Sequence, residues 1–210
     1  MTQPHRFSRL AIPAALAAGL LLGCAARQPV RGQETDALDR KLSTFAFIEQ
    51  GDLMTLIVDT KATRYRENTP YFPLEIAIAN NGLRQIALTR ESFTLIDEAG
   101  NRYPAASPKE LIEGYEFLDL DRNQLAELEG IIFNKFAAFA RYPSMFSPTR
   151  GYSRGRSNLV RDLVSLPKFG YLLDFVYFPA PAGGLLGKRF ELFVDSQQLE
   201  NPVFVKFEVK

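Results

Sequence analysis

The 210-residue sequence predicts a mainly β protein, an antiparallel sandwich or barrel with a helical stretch set between two groups of strands. Three observations carry this. Short runs rich in aromatic and β-branched residues show period-two alternation, as a strand with one buried face does. Clusters of Asn, Gly and Pro separate these runs, as in all-β folds. Between about 107 and 148 the apolar residues recur instead at spacings of three and four.

The strands begin after about Ser43, with "TFAFIE" and "LMTLIVDT". In "YFPLEIAIANNG", Phe72, Leu74, Ile76 and Ile78 alternate with Pro73, Glu75, Ala77 and Ala79, which predicts one buried face. Asn80-Asn81-Gly82 then tolerates positive φ and marks a turn. "ESFTLIDEAGNRYP" reads as a further strand, with Phe93 and Leu95 on one side, ending in a turn at Glu98–Asn101. "GYLLDFVYFP", "KRFELFVDS" and "PVFVKFEVK" give three more; Val203, Val205, Phe207 and Val209 share one face of the last. In the middle, Pro108 opens a short helix. Asp121 with Gln124 resembles a capping box for a second, longer helix. Along it Leu125, Leu128, Ile132, Phe136 and Phe139 fall on one face, flanked by Ile131 and Phe133, and it should end near Arg141.

Ahead of the strands the pattern differs. His5, Arg6 and Arg9 precede an apolar run from Leu10 to Leu22, the layout of a secretory signal segment. The run is shorter than the ~20 residues a spanning helix needs. It ends in Leu21-Leu22-Gly23-Cys24, and Cys24 is the chain's one cysteine. These residues resemble the lipobox of bacterial lipoproteins. The resemblance implies that residues 1–23 are cut away and that Cys24 becomes the acylated first residue of the mature chain. Several acyl chains, at about 0.8 kcal/mol per buried CH₂, anchor stably. Ala25 stands where Asp would signal retention at the inner membrane in the enterobacterial version of the family, so the resemblance implies an outer-membrane anchor facing the periplasm. Residues 24–42 are polar and without apolar period, a tether, and 43–210 form the domain.

A second resemblance concerns that domain. "LEIAIANNG", the set Phe93, Leu95, Asp97, Gly100 and Tyr103, and the pair Phe178-Pro179 resemble an immunoglobulin-like β-sandwich common in bacterial secreted proteins. It covers about 71–105 and 170–209, and implies a binding or spacer module. The helical insertion at 107–148 departs from the simple pattern.

Composition excludes several chemistries from the mature chain. His5 leaves with the first 23 residues, and Cys24 is consumed by lipid if the resemblance holds. A Ser-His-Asp or Cys-His system lacks its imidazole, zinc lacks its usual ligands, and an intrachain disulfide lacks a second cysteine. No cofactor or metal is expected. Without Arg6 and Arg9, the 25 Lys plus Arg fall to 23 against 24 acids, a balance of −1 with no basic footprint for nucleic acid. "DLDRNQLAELEG" has Asp119, Asp121 and Asn123 spaced as in a calcium loop, but Gln124 replaces the turn glycine and Gly130 the bidentate glutamate. The helix cap accounts for it better.

The sharpest charge feature is "PTRGYSRGRSNLVR", with Arg150, Arg154, Arg156 and Arg161 around Tyr152. Arg forks suit phosphate or carboxylate, so an anionic contact is one reading. The blander one is a solvated loop, or one paired with the acidic helical stretch. In "YFPAPAGGLLGKRF", Leu185 and Leu186 either form a partner-binding tip or fold back on the core, and the second is favoured. The expected role is non-catalytic binding or assembly at the cell envelope, with the membrane as one partner through Cys24 and an envelope protein as another. The alternatives are a carrier for an apolar ligand, using a cavity between helices and sheets, and a hydrolase using two facing carboxylates.

Overall fold

The computed structural model describes residues 41–148 and 163–210. The fold is mainly β, with antiparallel sheets and few helices. One sheet has five strands: β1 (Ala46–Gln50), β2 (Met54–Asp59), β3 (Tyr71–Asn80), β9 (Gly170–Pro179) and the short β7 (Ala140–Arg141), in that order. All neighbours are antiparallel except β7, which runs parallel to β9. A second sheet has four strands, ordered β11 (Val203–Glu208), β10 (Arg189–Val194), β5 (Phe93–Asp97) and β6 (Arg102–Pro104). Strands β4 (Gln85–Thr89) and β8 (Leu163–Pro167) form a separate pair.

One apolar cluster joins the two larger sheets. Leu56, Phe72, Leu74, Ile76 and Ile78 from the first meet Leu95, Phe190, Leu192, Val205 and Phe207 from the second. Phe72 is fully buried, its ring 6.1 Å from both Phe178 and Phe190. The period-two alternation of β3 is therefore real, but the expectation of a single buried face is corrected. Glu75, Ala77 and Ala79, on the opposite face, are also buried. A layer of helices covers them. Small Ala46, Ala77 and Ala79 let this layer approach closely, and Leu128, Ile132 and Phe136 fill the space.

The layer holds α1 (Lys61–Arg64), α2 (Pro108–Gly114), α3 (Leu118–Gln124) and α4 (Leu128–Ile132). Ser107 caps α2: its hydroxyl accepts from the Glu110 N–H and Glu110 accepts from the Ser107 N–H, with Pro108 at the first helical position. The long helix expected from Asp121 to Arg141 is two short ones, and Asp121 is no cap. It lies buried in the middle of α3, whose N-cap is Phe117. The break has a physical cause. The N–H groups of Glu127 and Leu128 donate to the Glu75 carboxylate in β3 at 2.7 and 3.0 Å. A helix must begin anew after those amides. The apolar face still packs as its spacing predicts, with Leu128, Ile132 and Phe136 buried and Phe139 partly so.

Four described strands lie outside the runs that the sequence marks: β4, β7, β8 and β6, which follows the turn after β5. Ile86 and Leu88 in β4, and Val164 and Leu166 in β8, alternate as buried positions, but each run is only five residues long. The two-residue β7 is too short for any period to reveal.

Candidate functional site

Cys24 and the Arg-rich stretch of Arg150, Tyr152, Arg154, Arg156 and Arg161 lie outside the described residues. Within them, the densest polar chemistry sits between the helical layer and the five-stranded sheet.

Arg66 follows α1 in a turn closed by its own N–H to the Thr63 carbonyl. Its Nε and Nη2 donate to Asp121 Oδ1 at 2.9 and 2.5 Å. The other carboxylate oxygen accepts from the Tyr115 hydroxyl at 2.5 Å and the Tyr177 hydroxyl at 3.3 Å. Arg66 Nη1 donates to the Tyr65 carbonyl, and the guanidinium lies 4.4 Å from the centre of the Phe117 ring. Asp121 is fully buried and Arg66 7% exposed. Burial raises the Asp121 carboxyl above the ordinary aspartate value, while the Tyr115 hydrogen bond and the Arg66 charge oppose the rise. Burial, then the Asp121 charge, push both tyrosine hydroxyls upward, so they act as donors.

A second group lies on the same face of the sheet. Asp59 in β2 stands opposite Glu75 in β3. Burial pushes Glu75 up to about 8; the Leu128 N–H pulls it down and the Asp59 charge raises it further. Asp59 is raised as well, chiefly by burial, although its Oδ1 accepts the Lys61 N–H at 2.8 Å. Lys61 pairs with Glu127 just outside. A third group closes the edge of β9. Asp174 accepts from Arg122 at 2.9 Å and from the Phe146 N–H at 2.8 Å, and the Ser147 hydroxyl donates to the Phe175 carbonyl.

This chemistry is that of a clasp. Asp59 and Glu75 face each other from β2 and β3 and are each 1% exposed. Buried apolar side chains of both layers pack against each other around them. Local sequence pattern does not disclose these contacts. Arg66 and Asp121 lie far apart along the chain, and Glu75 occupies a position that alternation alone assigns to solvent.

The remaining nominated residues find structural roles. Asp97 accepts from the Ala99 and Asn101 N–H groups and from the Tyr103 hydroxyl, and Gly100 takes φ 83°. The set Asp97, Gly100 and Tyr103 thus closes the β5–β6 hairpin. Leu185 is buried and Leu186 half-exposed. Both N–H groups donate to Glu67 at 3.0 Å, and any Cβ on Gly184 would collide with that carboxylate. An open groove lined by Thr89, Ser92, Leu163 and Ser196 lies beside the β4–β8 pair.

No protein-family profile matches the chain, and no curated protein is similar to it. A crystal structure of a lipoprotein candidate from Bacillus subtilis is similar at 10% identity and a TM-score of 0.40. The match covers 77% of this chain and 38% of that one, so this chain spans well under half of its length. The likeness is too remote to carry a fold or a function across.

Proposed function

We propose that the chain is a lipid-anchored protein of the bacterial envelope, facing the periplasm from the outer membrane, and that its domain is an immunoglobulin-like sandwich serving as a non-catalytic binding or assembly module. The observation that carries the reading is Leu21-Leu22-Gly23-Cys24 directly after a basic and an apolar stretch. Two sheets burying one core support the sandwich. The absence of histidine after residue 5, with Asp59, Glu75 and Asp121 consumed by the clasp, supports a role without turnover. The Arg150–Arg161 stretch is the proposed anionic contact.

The test is the intact mass of protein purified from membranes, beside Cys24→Ala. Cleavage before Cys24 with added acyl mass, and release of Cys24→Ala from the membrane fraction, are the expected results. A full-length unmodified mass, or a variant that stays membrane-bound, would overturn the anchor. Photo-crosslinking in cells from position 152 then names the contact; adducts absent from that position would remove the Arg-rich stretch from the proposal.

A further inference from the structure

The edge of the helical layer carries an aromatic ring that the clasp does not use. Phe169, in the β8–β9 turn, is 53% exposed. Single exposed apolar residues are ordinary. Here, however, Phe169 packs edge-on against Phe139 at 5.7 Å, and Phe139 against the buried Phe136 at 5.5 Å. The exposed ring thus continues the core cluster out to the surface.

Phe169 also has φ 61°, a conformation that bulky side chains rarely adopt. Two hydrogen bonds fix it there: its N–H donates to the Asn80 carbonyl and its carbonyl accepts the Ala140 N–H. The fold holds an aromatic ring outward where Gly or Asn would sit without strain. Lys168 lies 5.0 Å from the centre of that ring. Aromatic rings beside lysines are the composition of a protein surface lying at the headgroup boundary of a bilayer.

The chain's entry point argues for the same occupant. Leu42, the second described residue, packs into the cluster that holds Phe136 and Phe139. The tether from Cys24 to Lys41 therefore joins the domain on its aromatic side. We infer that the Phe139–Phe169 edge docks onto the phospholipid surface that holds the anchor, with Lys168 at the anionic headgroups. This rests on the lipid-anchored reading.

The chain contains no Trp, so one introduced Trp is an unambiguous reporter. The experiment uses the full mature protein, purified from membranes and reconstituted into phosphatidylethanolamine–phosphatidylglycerol vesicles with and without brominated acyl chains. Phe169→Trp and Lys168→Trp are compared with Phe204→Trp, on the outer face of the four-stranded sheet. Expected are a blue shift and quenching by brominated lipid at 168 and 169, and neither at 204. Should Phe169→Trp fail to fold by circular dichroism, Lys168→Trp decides alone. Acylated protein without quenching at 168, or with equal quenching at 204, overturns the docking face and leaves the anchor standing. Protein without acyl mass at Cys24 overturns both.

Discussion

The five-stranded sheet has two buried faces built on different chemistry. Toward the second sheet it presents Leu56, Phe72, Leu74, Ile76 and Ile78, packed in one apolar cluster. Toward the helices it presents Asp59, Glu75 and Tyr177 among alanines, and meets Arg66 and Asp121. The first face gains free energy from area removed from water, at roughly 25 cal/mol per Å². The second gains less from the charges it buries, because an ionic contact in low dielectric roughly offsets its own desolvation, and Asp59 Oδ2 is buried with no hydrogen-bond partner among the described residues. Apolar packing tolerates many arrangements, whereas Asp121 has four donors aimed at two oxygens and accepts one. The difference teaches that the sheets hold the domain together while the clasp fixes where the helices sit.

The largest effect belongs to the first face. Phe72→Ala should cost about 3–5 kcal/mol and lower the stability of the whole domain in one cooperative transition, as read by urea unfolding. On the second face, Asp121→Ala strands a buried Arg66 and should also cost about 3 kcal/mol or more. Its signature is local: helix amides lose protection while sheet amides keep theirs. Pairing Arg66→Met with Asp121→Leu should recover most of the loss. If the pair is as damaged as the single variant, the charges do more than hold position.

Glu75 sharpens the contrast through pH. Its folded-state value of about 8 lies above the ordinary glutamate value, so the folded protein holds the proton more tightly than the unfolded chain. The stabilisation is complete below about pH 4.5 and is lost as pH rises through 8, by on the order of a few kcal/mol. Glu75→Gln, which stays neutral, should match the wild type in melting temperature at pH 4 and exceed it increasingly from pH 6 to pH 9. Equal pH dependence in both would remove Glu75 from the account. The smallest effect is at Ser107, where Ser107→Ala should cost about 1 kcal/mol and fray α2 alone.

How much of this the sequence discloses follows from the same contrast. Period two exposes the apolar face directly: Phe72, Leu74, Ile76 and Ile78 are each where alternation puts them. Pro108 marks the start of α2, and Asn80-Asn81-Gly82 the end of β3, because turn chemistry is local. The clasp is nonlocal. Nothing near Glu75 says that two amides some fifty residues away will donate to it, and Asp121 resembles a cap because a capping aspartate and a buried one share the same neighbours in sequence. The helix spacing of Leu128, Ile132 and Phe136 survived, while the helix itself was divided by that unseen carboxylate.

The central claim is that the helical layer is a separately latched unit on a sheet that stands without it. Native-state hydrogen exchange of the full chain at pH 6 and pH 9 tests it most directly. The account predicts that amides of α2, α3 and α4 exchange through an opening of lower free energy than those of β2, β3 and β9, and that this opening becomes easier at pH 9. Exchange of helices and sheet in one step, unchanged between the two pH values, would contradict it.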